Sequence, residues 1–309
     1  MAFDIKFKEK NNFEKKSNKE INICLSEHVE SKYDKSINSD SFNNSELPKE
    51  GHHIYFITTK RRNADIFIDA ISPDNLLLIN SRLKKSDILD KIENKIIVVN
   101  YSKDYDIIEV RNHSKVIVAD NYVILGSGNV SVNARIEKYI IFNNKDLAEK
   151  IKDEFDKKKN SLFSPKIAKQ IKINLPQQNK IQFYYQNRNL CPLYVINEIE
   201  KVEQIKYIEI TGFRINKKSI FYLDKFNTSY FFSDSMKYMV QDVFKMLYER
   251  NCTFNNYHQK TVLVRTENNY YTITSSNNID TEDNLDYLAI ENNKQVFNDL
   301  LKCQEEKEI

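Results

Sequence analysis

Short runs of β-branched and aliphatic residues alternate with amphipathic stretches along most of this chain. Runs at 53–58, 75–80, 95–100, 106–110, 115–119, 122–126 and 138–142 read as strands, because such residues pack well on a pleated sheet and turn formers bound each run. Helices are predicted at 64–71, 86–92 and 145–159; in the last, Leu147, Ile151 and Phe155 recur at four-residue spacing along one face. The alternation then resumes, with strands at 181–185 and 205–211 and helices at 192–202, 235–250 and 295–302. Over 235–250 the apolar face carries Met239, Val243, Met246 and Leu247. Strands interleaved with helices in this way predict an α/β chain of mixed sheets flanked by helices.

The chain divides by pattern into four parts. Residues 1–50 are polar, with apolar islands such as Ile21–Leu25 that suit one or two strands or a short helix; a mobile stretch is expected at 36–50. A first lobe spans 51–160, a proline-bracketed connector 161–180 and a second lobe 181–309. The lobes echo each other. Leu76-Leu-Leu-Ile-Asn-Ser-Arg82 matches Ile208-Glu-Ile-Thr-Gly-Phe-Arg214, and Glu137-Lys-Tyr-Ile-Ile-Phe-Asn-Asn144 matches Asp286-Tyr-Leu-Ala-Ile-Glu-Asn-Asn293. A repeat this long predicts two similar lobes rather than a solenoid of short units.

Composition narrows the picture only a little. Among 309 residues, 47 are Lys or Arg and 44 Asp or Glu, so any attraction to a polyanion must come from local patterning rather than from the net charge of +3. Lys60-Arg61-Arg62 and Lys157-Lys158-Lys159 are candidate steering tracts, although such runs are usually only solvated faces. Cys24, Cys191, Cys252 and Cys303 have neither C-x-x-C nor zinc spacing. Free thiols, no metal, no cofactor and a cytoplasmic setting are therefore expected. No leader-like apolar region opens the sequence, and no apolar run is long enough for a membrane span. His28, His52 and His53 sit in no partner pattern and read as exposed. Tyr184, Tyr185, Tyr270 and Tyr271 read as strand core rather than as base-stacking groups.

The chemistry concentrates in His113-Ser-Lys115, Asp120, Gly126-Ser127-Gly128-Asn129 and Glu137. His113 and Lys115, two apart at a strand start, point to one side of the sheet. An imidazole beside a fixed ammonium suits attack on a phosphodiester, and a glycine turn allows close approach to phosphate oxygens. The set recurs as His258-Gln-Lys260, Ser275-Ser276-Asn277-Asn278 and Asp286, with Arg265 where Asp120 would stand. Either Asn277 or Asn278 is a candidate phosphate ligand in this second copy. The departures leave open whether it works or only keeps the fold.

At these spacings the pattern resembles the phospholipase D superfamily, with one intact and one degenerate H-x-K-x4-D / G-S-x-N copy. That resemblance implies two phospholipase D-like lobes related by a pseudo-two-fold axis, with His113 and His258 at one cleft. It implies a metal-independent phosphodiesterase acting through a covalent phosphohistidine. One histidine is nucleophile and the other acid and base. Lys115, Lys260, Asn129 and Asn278 grip phosphate, with Ser127, Ser276 and Asn277 beside them. Glu137 and Asp286 orient a histidine each, of their own copy or the other. Asp120 and Gly126 are expected to be structural, since a carboxylate facing phosphate would repel it. A nuclease is favoured, with nucleic acid as partner, DNA before RNA, alongside a helicase or other protein subunit. The alternatives are a non-catalytic phosphate-binding or scaffolding subunit of a larger defence-type assembly, and a lipid phosphodiesterase or phosphatidyltransferase. If the second copy is inert, a homodimer joining two His113 sites is expected instead.

Overall fold

The computed structural model describes residues 25–38, 42–59, 64–83, 86–99, 108–109, 112–130, 135–159, 172–187, 191–280 and 285–305. Lys60-Arg61-Arg62, Cys24, the greater part of the connector and the side chains of Lys157-Lys158-Lys159 lie outside the described residues.

In chain order the first half provides β1 (Leu25–Glu30), β2 (Tyr33–Ile37), β3 (His53–Thr58), α1 (Asp65–Ile71), β4 (Asn75–Ile79), α2 (Asp87–Asp90), β5 (Asn94–Val99), β6 (Ile108–Glu109), β7 (Val116–Ala119), β8 (Tyr122–Gly126), β9 (Glu137–Asn143) and α3 (Lys145–Lys159). The second provides β10 (Lys180–Asn187), α4 (Pro192–Val202), β11 (Ile205–Gly212), α5 (Lys217–Leu223), β12 (Thr228–Ser233), α6 (Met236–Met239), α7 (Gln241–Tyr248), β13 (Thr253–Asn255), β14 (Thr261–Thr266), β15 (Tyr270–Ser275), β16 (Leu285–Asn292) and α8 (Lys294–Glu305).

These strands form two eight-stranded mixed sheets, β2-β3-β9-β8-β7-β4-β5-β6 and β1-β10-β16-β15-β14-β11-β12-β13. From the second position onward the orders correspond strand for strand. In each sheet an antiparallel meander (β7-β8-β9 or β14-β15-β16) is joined through β4 or β11 to a parallel pair of strands. Equivalent cross-strand pairs recur, such as Gly126 opposite Tyr139 and Ser275 opposite Leu288. This is the two-lobed α/β architecture expected from the repeat.

The edge position departs from the repeat. β1 pairs antiparallel with β10, while β2, two residues later, pairs parallel with β3. A single strap from the polar N-terminal segment therefore completes both sheets. After it, Asn44–Glu46 forms a 3₁₀ turn whose Ser45 amide is capped by the Asn43 side chain.

Burial follows the alternation along each strand. In β9, Ile140 and Phe142 enter a central cluster shared by both sheets, whereas Tyr139 and Ile141 enter the first lobe's outer core. α3 and α8 contribute Ile151, Phe155, Phe297 and Leu300 to the central cluster. Tyr184, Tyr185 and Tyr271 are buried, which removes them as stacking candidates. The helix predicted over 235–250 is interrupted at Val240 (φ −145°, ψ 69°). The break lets Met236, Val243 and Leu247 share the core and leaves Met239, an expected core residue, 53% exposed.

One expectation is reversed outright. His53 is not exposed but 1% accessible. Its Nε2 lies 3.0 Å from Glu291 Oε1 in the opposite sheet, and Tyr55 donates to Glu291 Oε2 at 2.8 Å. Ser31 of the strap donates to the same carboxylate. Burial alone would raise the Glu291 pKa; the charge and hydrogen bonds of His53, with those of Ser31 and Tyr55, outweigh it and hold the group below its usual value. Sequence gave no hint of this, because the partner sits in the other lobe. His52 pairs with Asp34 at 2.6 Å and His28 with Gln182 at 2.9 Å.

Removing one partner of such a clasp leaves a buried polar group unmatched. Glu291→Ala should cost about 3–5 kcal/mol, and His53→Leu with Glu291→Met should cost less than that single change. Urea midpoints check the order; a double variant worse than Glu291→Ala overturns the reading.

Candidate active site

The two His-x-Lys segments enter β7 and β14, equivalent central strands of the two sheets. Each histidine faces a carboxylate of the opposite lobe. His258 Nδ1 lies 2.8 Å from Glu137 Oε1 and 3.0 Å from Oε2. His113 Nδ1 lies 3.8 Å from Asp286 Oδ2. The choice that the sequence left open is thus resolved toward exchange between lobes, in the same sense on both sides. Backbone bonds stitch one crossing: Ile136 donates to Asn256 O at 2.8 Å, and the amides of His258 and Gln259 donate to Ile136 O, each at 3.0 Å.

Behind each histidine the same small network recurs. Ser127 Oγ donates to Glu137 Oε2 at 2.5 Å, and Ser276 Oγ donates to Asp286 Oδ1. Both carboxylates are fully buried. These two serines, expected beside the phosphate, hold the carboxylates. Lys260 Nζ sits 3.0 and 3.1 Å from the two ring nitrogens of His258. Lys115 Nζ sits 3.4 Å from His113 Nδ1 and donates to the His113 carbonyl. The lysines are 2% and 1% accessible, while the His113 and His258 side chains keep 34% and 15% of their surface.

This crowding of cations in a poorly solvated place shifts the titrations. Burial, reinforced by Lys115, lowers His113 to about 4; burial and Lys260 lower His258 to about 4. Burial lowers Lys115 to about 8 and Lys260 to about 7, although both carboxylates pull the other way. Glu137 is held below its usual value because the charges of His258 and Lys260 and the bonds from His258 and Ser127 outweigh its desolvation. At neutral pH both imidazoles are therefore mostly unprotonated, Lys115 is mostly an ammonium and Lys260 is near its midpoint.

The asparagines split. Asn129 Oδ1 accepts from Ser81 at 2.6 Å. In the second lobe, Asn277 Nδ2 and Asn278 Oδ1 are buried without a hydrogen-bond partner among the described residues. Asp120 sits in the turn between β7 and β8. With φ 49°, it turns its carboxylate onto the amides of Asp74 and Asn75, at 3.0 Å each, ahead of β4. In the second lobe the carboxylate has crossed the strand pair: Glu203, ahead of β11, accepts from Thr266, Asn269 and Tyr271 of the β14–β15 hairpin. That exchange explains why Arg265 is tolerated.

The glycine turn has a local cause. A Cβ on Gly126 would meet Tyr139 Cε1 at 2.5 Å, and one on Gly128 would meet the Tyr139 hydroxyl and the Glu137 side chain. In the second lobe the corresponding Ser275 and Asn277 are possible because Leu288 replaces Tyr139 opposite Ser275. The degenerate turn and the smaller neighbour are one compensated change.

Two site neighbours escaped sequence reasoning. Phe213, just after β11, packs 5.2 Å from the His258 ring, and the Arg135 guanidinium lies 4.7 Å above the Phe213 ring. Only the repeat alignment marks Phe213, as the counterpart of Ser81.

The sequence matches no protein-family model and no curated protein. Among solved structures, the chain is similar to the phosphatidylserine synthase of Haemophilus influenzae Rd KW20, at 13% identity and a TM-score of 0.50, over 80% of this chain and 83% of that one. A polyphosphate kinase from Porphyromonas gingivalis matches at 12% identity and a TM-score of 0.47, over 75% of this chain and 45% of the longer kinase. The first of these is a phospholipase D superfamily member. The fold is that of the phospholipase D superfamily. Within that fold this chain carries both lobes in one polypeptide. Among the described residues, no helix is long and apolar enough to cross a membrane.

Two outcomes follow for this site. Gly126→Ala should destabilise by about 1–3 kcal/mol through overpacking, and Gly126→Ser combined with Tyr139→Leu should recover most of it in thermal unfolding. In double-mutant cycles on turnover of a phosphodiester, Glu137 should couple to His258, and Asp286 to His113, by about 0.5–3 kcal/mol. Coupling within each lobe instead contradicts the crossed arrangement.

Proposed function

We propose that this chain is a metal-independent phosphodiesterase, and specifically a nuclease, working through a phosphohistidine. The observation that carries the reading is the crossed site, in which two neutral imidazoles stand beside two buried lysines and each faces a carboxylate of the other lobe. One histidine attacks phosphorus, forming a P–N bond as the P–O bond to the leaving group breaks. The other, in the fraction of molecules where it carries a proton as imidazolium, gives that proton to the leaving oxygen and then takes one back from the water that cleaves the P–N bond. Both rings return to their starting state. Splitting the displacement replaces one difficult step by two easier ones.

The lysines, Asn129 and Asn277 or Asn278 stabilise charge on the non-bridging oxygens. Glu137 and Asp286 fix ring orientation and favour the imidazolium when it forms. Nucleic acid is the proposed substrate because the surroundings are basic. The charges of exposed Arg82 and half-buried Arg135 act on Lys115 and Lys260 respectively. The second lobe is proposed to be active, since its departures at Arg265, Ser275 and Asn277 are compensated locally.

His113→Ala and His258→Ala should each lose turnover of a labelled oligonucleotide by at least about 10³-fold, the wild-type monomer should be active, and EDTA should not inhibit. Retained activity in His258→Ala with a homodimer as the active species would support a decayed second copy. A strict requirement for added Mg²⁺ or Zn²⁺ removes the proposal.

The titrations give a pH profile. The attacking histidine works unprotonated, and its lowered pKa makes that form available above about 4. The lysines work protonated, and their lowered values remove that form above about 7–8. The other histidine must carry the proton it donates, and it also titrates near 4; kcat/KM should therefore be highest on the acid side of neutrality and fall further above about pH 7 as Lys260 and then Lys115 deprotonate. An alkaline limb displaced to the ordinary lysine range contradicts the role given to Lys115 and Lys260.

A further inference from the structure

The two His-x-Lys segments have different neighbours at a repeat-related position. In the first lobe, Ser81 is buried and donates to Asn129. On the His258 side the equivalent residue is Phe213, half-buried, with its ring centroid 5.2 Å from that of His258 and inclined to it by 60°. The guanidinium of Arg135, also half-buried, lies over the same ring at 4.7 Å. Arg135 comes from the first lobe, one residue before the Ile136 crossing, and its charge reaches Lys260. An aliphatic side chain at 213 would pack against an imidazole equally well. What the aromatic ring adds is a π-face on which a guanidinium can rest.

We propose that the Phe213–Arg135 stack is a platform for one unpaired nucleobase adjacent to the scissile phosphate, so that the site takes single-stranded nucleic acid in preference to duplex. This rests on the phosphodiesterase reading and deepens it. Bases stack on aromatic rings and on guanidinium planes alike. Here the ring positions the guanidinium, whose outer face receives the base while its charge supports the adjoining phosphate. A base within a duplex has both faces covered by its neighbours and must be unstacked first. With the buried Ser81 at the equivalent position of the first lobe, the platform serves one side of the phosphate only.

The test measures binding of fluorescein-labelled DNA to the His113→Ala protein, with three probes: a single strand, the same strand carrying tetrahydrofuran abasic residues around its centre, and the duplex. The intact strand should bind about tenfold more tightly than either other probe. Adding Phe213→Ala, Phe213→Leu or Arg135→Lys should remove the advantage over the abasic strand, and Phe213→Tyr should keep it. Arg135→Lys retains charge without the plane, so its loss of discrimination separates stacking from electrostatics. Equal affinity for intact and abasic strands, or variants that weaken both alike, overturns the proposal. Wild-type hydrolysis of bis(p-nitrophenyl) phosphate separates the two readings. Turnover without base discrimination sinks only the platform, whereas no turnover of any phosphodiester sinks the phosphodiesterase reading and the platform with it.

Discussion

Two carboxylates and two lysines are buried where the lobes meet, and each carboxylate faces a histidine of the other lobe. Glu137 depends on His258 and Lys260 from the other sheet; Asp286 faces His113. Burying an unmatched charge costs several kcal/mol, so a lobe on its own would hold its carboxylate in water or protonate it. Docking brings the countercharge and forms the cleft in one event. The second clasp, Glu291 with His53, Tyr55 and Ser31, lies five residues along β16 from Asp286, about 17 Å at strand rise. Interface stability and site assembly are consequently the same problem, solved at two ends of one strand.

Much of this was legible before any coordinates. The His-x-Lys pairs, the glycine turn and the paired carboxylates each occupy fixed offsets from a strand, and strands declare themselves by β-branching. The partner of each carboxylate was not legible, because both histidines lie far from it in sequence and either would satisfy its chemistry. His53 was misread for a related reason: a histidine without a local partner looks exposed, and its partner was reachable only through the lobe interface. The helix over 235–250 kept a regular apolar period through Val240, yet periodicity reports which face is apolar and not whether the axis continues.

The second lobe illustrates how a signature can lose its letters and keep its geometry. Asp120 and Glu203 anchor the same strand junction from opposite sides. Gly126 with Tyr139, and Ser275 with Leu288, fill the same space with the volume divided differently. A reading confined to motif positions counts two losses there, whereas packing pairs each loss with a neighbouring change.

The N-terminal strap carries a mechanical consequence. Since β1 completes one sheet and β2 the other with only two residues between them, the lobes are laced together at the edge as well as joined through the chain connecting α3 to β10. Two bodies tied in this way have little freedom to swing apart as a jaw does. Whatever reaches the histidines must therefore do so with the lobes held together, rather than by prying the halves open.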